Sequence, residues 1–391
     1  MRILYLADIR FPLERANGIQ STETCHALAS RGHAVTMVVR PDTVTPARDP
    51  LAFYGLAPIV GLRIEQAAVA GPPAGRRAGY LTFALGRALG RARQDLVFTR
   101  DLGLASLLLR VPLAWRAPVV YEAHGLAAET AAALPDLVSG APRATAGKLQ
   151  RLAARDARVW KTAGGYVTIT AGLKQELERR FGARPRVAVV PDGVRTIAPV
   201  APRAPDAPFT IGYAGHLYPW KGVDLVIEAV AALEDTHGLI VGGHPQEPDL
   251  ARVKAFAEQL FCSGRVTFTG QLPPAAVAAR LQDSDVLVLP NPASAISRDF
   301  TSPLKLFEYM AAGRPIVASD LPSFREVLTD GRNALLVEAG NPQAVTAGIR
   351  RIKDDPELAE RLARQAMEDV REYTWARRAE RLEALFLEVL A

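Results

Sequence analysis

Cysteine is nearly missing from this 391-residue chain: Cys25 and Cys262 stand far apart, in no CxxC or Cys/His spacing. Neither a disulfide framework nor a zinc site organises it. Long hydrophobic runs are missing too. No apolar stretch approaches the roughly 18 residues of a membrane-crossing helix. The start lacks a basic-then-apolar leader pattern, because the short run Met1–Ala7 meets Asp8 and Arg10 at once. The expectation is a soluble protein of the cytoplasm. Charge of one sign is scarce: Lys and Arg exceed Asp and Glu by 47 to 41, a net charge of +6. That is too small to call for nucleic acid, yet it suits an anionic small ligand or an anionic membrane surface.

What is present is ample core material. Hydrophobic residues make up 49% and charged residues 23%, the composition of an ordinary folded protein, over a length that suggests two domains or three. The first forty residues read as strand (RILYLAD), a loop with turn residues Asn17 and Gly18, a helix stopped by Gly32, and a second strand (AVTMVVR). The alternation continues through LVFTRD and PVVYEAHG. In parallel α/β sheets the C-terminal strand ends face the ligand crevice. Asp8, Arg10, Asn17, Gly18, Arg100, Asp101, Glu122 and His124 therefore collect at one rim. The stretch 74–93 carries five arginines interleaved with apolar residues. It fits a solvated helix face, or a surface that meets a membrane or an anionic acceptor.

From Thr196 to Pro208 the sequence TIAPVAPRAPDAP has four prolines and little periodicity, as an extended linker would. The alternation restarts at FTIGYAG. The reading is an N-terminal domain over 1–196, a linker over 197–208, a C-terminal domain over 209–373 and a closing helix over 374–391.

The stretch TSPLKLFEYMAAGRPIVASD, 301–320, has marked helix boundaries. Ser302 is the expected N-cap with Pro303 in the first turn, and Gly313 and Pro315 end the helix before a buried strand. Lys305 in the first turn and Glu308 among apolar neighbours need partners. They pair with each other or are solvated, or the helix start and lysine hold a phosphate while Glu308 accepts hydroxyl hydrogen bonds from a ribose.

VVPDGV at 189–194, YAGHLYPWKGVD at 213–224, LIVGG at 239–243, VTFTGQL at 266–272, DVLVLPN at 285–291 and SPLKLFEYMAAGRPIVASDLPSFREVL at 302–328 occur in one order and spacing. With them the chain resembles the retaining GT-B glycosyltransferases of family four. The resemblance implies an α/β fold of two Rossmann-like domains facing across a cleft, with a last helix crossing back to the N-terminal domain. The implied activity moves a sugar, with retention, from a nucleotide diphosphate sugar to an acceptor hydroxyl on a sugar, lipid-linked or small molecule. No cofactor is implied beyond the donor substrate. The implied donor set is Gly18, Gly215, His216, Lys221, Gly270, Gln271, Leu272, Asp299, Thr301, Ser302, Pro303, Leu304, Lys305 and Glu308. His124, Lys221 and Glu308 carry the catalytic roles, and Asp8, Arg10, Asn17, Arg100 and His124 form the acceptor side.

Two departures stand out. The family's first glutamate falls at Phe300, beside Asp299, and the arginine that partners Lys221 is His216, a weaker and pH-dependent phosphate contact. No DxD-like cluster appears, so a metal-independent reaction is expected, with the lysines neutralising the diphosphate. Two alternatives remain: a sugar-nucleotide epimerase on the same scaffold, and a catalytically reduced sugar-nucleotide binding protein. A dinucleotide oxidoreductase is disfavoured because neither βα turn carries GxGxxG.

Overall fold

The computed structural model describes residues 1–69, 71–90, 93–137, 141–195, 206–244, 247–294, 298 and 302–391. It divides into two compact units: Met1–Ala132, Arg143–Asp192 and Trp375–Ala391 form the first, and Ala133–Pro142 and Gly193–Thr374 the second. Most of the proline-rich linker, Asp299 and Thr301 of the expected donor set, and Phe300 lie outside the described residues.

The first unit is built on seven parallel strands: β1 (Arg2–Arg10), β2 (Ala34–Arg40), β3 (Leu62–Gln66), β4 (Leu96–Thr99), β5 (Val119–Ala123), β6 (Gly165–Thr168) and β7 (Val187–Val189). Their order is β3-β2-β1-β4-β5-β6-β7, so the winding reverses between β1 and β4. β4 and β5 are buried at every position, as strands covered on both faces must be. Between the strands run α1 (Ala16–Ser30), α2 (Pro50–Phe53), α3 (Pro73–Ala88), α4 (Leu102–Leu108), α5 (Ala127–Leu137), α6 (Ala146–Thr162) and α7 (Ala171–Phe181).

Two local expectations need correction. Asn17 and Gly18 do not form a turn; both lie in the first turn of α1. Glycine is required at 18 by packing, since a Cβ there would sit 2.4 Å from both the Leu13 carbonyl oxygen and the Tyr54 hydroxyl. Strand β3 was not expected, because LRIEQ mixes charge into a half-exposed edge strand and so lacks the apolar run of its neighbours.

The second unit repeats the design with six parallel strands: β8 (Phe209–Ala214), β9 (Thr236–Val241), β10 (Val266–Gly270), β11 (Val286–Leu289), β12 (Ile316–Ser319) and β13 (Leu335–Val337). The order is β10-β9-β8-β11-β12-β13, reversing between β8 and β11. Strand alternation splits β11, with Val286 and Val288 in one core cluster and Leu287 and Leu289 in the other. Helices α8 (Val223–Ala232), α9 (Pro248–Gln259), α10 (Pro274–Leu281), α11 (Leu304–Ala311), α12 (Pro322–Arg325), α13 (Pro342–Asp354) and α14 (Pro356–Asp369) complete it.

Helix α11 starts later than expected. Ser302 is not its N-cap: Pro303 takes that position with an extended ψ of 131°, and no side chain caps the first turn. A residue before proline is disfavoured from helical geometry, which keeps Ser302 outside the helix. The expected stop holds, with Gly313 at φ 67° after the Ala312 C-cap.

Among the described residues no helix is long and apolar enough to cross a membrane.

Candidate functional site

Open α/β sheets take their ligands beyond the carboxyl ends of the strands, where the winding reverses. In the second unit that place lies after β8 and β11. Beyond β8 the chain passes through Gly215, at φ 131°, and the single turn Pro219–Lys221 to Gly222, at φ 73°. Both glycines answer to close approach as well as to φ. A Cβ on Gly215 would lie 3.0 Å from Lys305 Nζ, and one on Gly222 would strike the Pro290 carbonyl at 1.9 Å.

Lys305, in the first turn of α11, is 8% exposed. Its Nζ donates to the Tyr213 hydroxyl at 2.9 Å and lies 4.1 Å from the centre of that ring, while the Tyr213 hydroxyl donates onward to the His216 carbonyl at 2.7 Å. The pairing with Glu308, one of the alternatives open from the sequence, is not made among the described residues. Burial, and then the nearby charge of Lys221, push the Lys305 ammonium well below its ordinary range, against the opposing effect of Glu308. Lys221 Nζ sits 3.7 Å over the Trp220 ring. Burial pushes it down to about 7. Neither lysine forms an ion pair among the described residues. Two lysines whose charged forms are disfavoured by burial, with Lys221 adding to the effect on Lys305, make a site for an anion at the end of the sheet.

Other expected donor residues gather here. Gly242 packs against the Gly215 carbonyl and bridges to Gly270, at φ 69°, which brings the ends of β8, β9 and β10 together ahead of Gln271 and Leu272. Leu272 packs on the same core cluster as Phe307. Glu308 lies one turn after Lys305, and Pro303 and Leu304 are buried. His216 stacks on Tyr218 with rings 5.0 Å apart, and its Nδ1 lies 3.3 Å from Glu247, which also accepts from the Tyr218 hydroxyl at 2.6 Å. Sequence reasoning missed Asn291. It is fully buried just past β11, and its Oδ1 and Nδ2 have no hydrogen-bond partner among the described residues. A buried amide left without partners in native protein marks a place for another polar group.

In the first unit the reversal point joins Arg100 to His124 through two buried side chains. Glu122 Oε1 accepts from His124 Nε2 at 2.5 Å and from the Gln20 amide, whose oxygen accepts from Arg100 at 2.7 Å. Glu122 Oε2 accepts from Arg378 at 2.5 Å, on the C-terminal helix Trp375–Leu390. Arg378 also donates to the carbonyls of Val190 at 2.7 Å and Pro191 at 2.8 Å, and to Thr24 at 3.1 Å. Burial alone would raise the Glu122 carboxyl, yet Arg378 and then His124 hold it down at about 2. An ionised carboxylate only accepts, so His124 carries its proton on Nε2 and keeps Nδ1 as an acceptor. Burial, then Arg100, push His124 down to about 4, so the ring is neutral at pH 7. Asp192, 3.9 Å from Arg378, is pushed up to about 6 by burial.

Asp8 and Arg10 are both engaged in ion pairs. Asp8 lies 2.9 Å from Arg40 and 3.7 Å from Arg77, and Arg10 pairs with Glu14, which also meets Arg48. Asn17 accepts from Ser21 at 3.3 Å. Sequence reasoning also missed Arg378. Its signal was an arginine on the apolar face of an amphipathic helix, in line with Trp375, Leu382 and Phe386.

Residues 194–369 match the family model described as glycosyl transferases group 1, and residues 19–197 match that of glycosyltransferase family 4. A D-inositol 3-phosphate glycosyltransferase of Corynebacterium glutamicum (strain R) is 27% identical over 71% of this chain and 68% of its own. The next two relatives, of the same description, are matched over 63% and 60% of their own lengths, less than two thirds. Among solved structures, sucrose-phosphate synthase from Thermosynechococcus elongatus superposes with a TM-score of 0.78 at 18% identity, covering 99% of both chains. The Anabaena protein Alr3699/HepE, solved with UDP and glucose, gives 0.72 at 16% identity, again over 99% of each.

Proposed function

Since the chain belongs to the family-four glycosyltransferases of the GT-B fold, we propose that it transfers a sugar from a nucleotide diphosphate sugar to an acceptor hydroxyl, with retention at the anomeric carbon. The supporting observation is the pair of lysines, half-buried Lys221 and buried Lys305, gathered beyond β8 without a carboxylate pairing them among the described residues. In the reaction the bond from the anomeric carbon to the diphosphate breaks, a bond to the acceptor oxygen forms, and the acceptor proton passes to the departing diphosphate. Negative charge grows on that leaving group. Cations already fixed at its position stabilise it more in the transition state than in the ground state, and need no reorganisation at the moment of reaction.

In this reading the glycines at 215, 242 and 270 let the backbone approach the nucleotide, and Glu308 accepts from the ribose hydroxyls. Asn291 offers its free amide to the donor. Neutral His124, its Nε2 held by Glu122, offers Nδ1 as an acceptor to a sugar hydroxyl. The relatives' names supply the acceptor precedent: a phosphorylated inositol in the Corynebacterium protein.

The test is release of nucleoside diphosphate from a panel of UDP-, GDP-, ADP- and dTDP-sugars, with and without acceptors. Acceptor-dependent release is expected, and it falls sharply in Lys305→Met. Tight binding of the donor with no release in any combination would instead mark a binding protein, and interconversion of the sugar without release an epimerase.

A further inference from the structure

Among the described residues the hydrogen-bond partner of Lys305 is a tyrosine rather than an acid. Tyr213, the fifth residue of β8, is fully buried, with its ring in the core cluster that also holds Leu217 and Val223. Burial pushes its hydroxyl well above the ordinary value, so it stays uncharged. Its hydrogen bonds run in one direction. The phenol proton is committed to the His216 carbonyl at 2.7 Å, so toward Lys305 Nζ, 2.9 Å away, the oxygen can only accept. The ring adds a second attraction, because the same nitrogen lies 4.1 Å from its centre. Gly215 completes the seat: a Cβ there would lie 3.0 Å from Nζ and 3.1 Å from Cε, so the lysine stem runs against bare backbone.

A second tyrosine registers the helix on the strand. β11 pairs with β8 at Ile211 and Gly212, and two residues further on the Ala214 amide donates to the Tyr309 hydroxyl at 2.7 Å. Tyr309 is fully buried one turn after Lys305, directly following Glu308. Two consecutive residues of β8 are thus bonded to α11 through phenol hydroxyls, and neither bond uses a carboxylate.

A lysine that awaits an anion needs a fixed place without neutralisation. A carboxylate at position 213 would hold the amine but also satisfy it, and an incoming anion would have to compete with it. Phenylalanine would leave a long side chain free to turn, and the cost of ordering it would fall on the binding step. A neutral acceptor that is itself fixed avoids both. The His216 carbonyl also belongs to the loop that runs on to Lys221, so one hydroxyl ties together the segments that carry the two lysines. We propose that Tyr213 is a positioning residue of the donor site, fixing the Lys305 amine against the start of the Lys221 loop so that both lysines meet a diphosphate at set places. This rests on the transferase reading above.

The full chain is titrated calorimetrically with UDP, GDP, ADP and dTDP, and the diphosphate that binds most tightly is carried through a double-mutant cycle. Tyr213→Phe keeps the ring and removes the acceptor, and affinity is expected to fall about tenfold, one charge-assisted contact's worth. In a Lys305→Met background the same change should cost nothing further. A tyrosine that served only the core would act equally in both backgrounds. Lys305→Arg approaches the bond from the other side, and it decides the question if Tyr213→Phe does not fold. It keeps the charge, but its planar head cannot take the seat of the compact amine, so affinity should fall as far as with Tyr213→Phe. Equal weakening by Tyr213→Phe in both backgrounds, or unaltered affinity in Tyr213→Phe or Lys305→Arg, overturns the proposal and leaves the donor reading standing. No diphosphate binding by the unaltered chain overturns both.

Discussion

The two units bury a cation each in contrasting ways. Arg378 is 2% exposed and fully answered: a carboxylate, two carbonyls and a hydroxyl accept from it. Lys305 is 8% exposed and donates to one neutral hydroxyl, with a second lysine close enough to disfavour its charge. A buried charge costs several kcal/mol to desolvate, a cost that a partnered group recovers and a lone one does not. The Arg378 cluster is therefore satisfied in the absence of ligand. The second unit keeps an unmet demand for negative charge, which fits a binding site for an anion.

Removing each cation should separate the two cases. Arg378→Met leaves Glu122 buried without its main counter-charge and frees the carbonyls of Val190 and Pro191. Breaking such a pair from one side costs about 3–5 kcal/mol. Chemical denaturation followed in the first unit is expected to show this loss, and Glu122→Gln combined with Arg378→Met should recover part of it. A loss below about 1 kcal/mol would mean that the pair is not load-sharing and the contrast is empty.

Lys305→Met is expected to act in the other direction on stability. A flexible apolar side chain of similar length replaces an ammonium that its surroundings disfavour, while the Tyr213 hydroxyl keeps its acceptor at His216. The second unit should melt at the same temperature or higher. Affinity for a nucleoside diphosphate should fall by about 10- to 100-fold, the range of one charge-assisted hydrogen bond. Calorimetry reads both effects on one sample. A variant that is destabilised but binds the nucleotide normally would make Lys305 a structural residue.

How far this contrast could be read from sequence varies with the kind of evidence each residue leaves. Fully buried strands such as VLVL at β11 announce themselves as apolar runs, whereas edge strand β3, charged and half-exposed, does not. The glycine and proline after α11 marked its end, but its start turned on backbone geometry around Ser302–Pro303 that the capping pattern alone misjudged. The lysines drew notice because Lys305 sits where a helix dipole disfavours it and Lys221 lies in a strand-to-helix loop. That Lys221 disfavours the charge of Lys305 is a three-dimensional fact. So is the pairing of Glu122 with Arg378, 256 positions apart, since nothing local links a buried strand carboxylate to an arginine on the last helix.

The smallest expected effect is a pH dependence, and its sign follows from Lys221. In the free protein burial brings this lysine down to about 7, so it loses its proton as the pH rises through neutrality. A bound diphosphate favours the ammonium and raises that value. Between the two values the complex holds more protons than its separate components, so binding takes up a proton and affinity falls as the pH rises. Below about 7 Lys221 is charged in both states and contributes no slope. From pH 7 to 8.5 the association constant should drop, by at most about tenfold per pH unit for one titrating lysine. Lys221→Arg, whose guanidinium stays charged throughout, should flatten that part of the profile. Calorimetry in buffers of different ionisation enthalpy counts the proton directly. An uptake near zero at pH 8 would show that Lys221 already carries its charge before the ligand arrives, and the second unit would then lose half of its claim to an unmet demand.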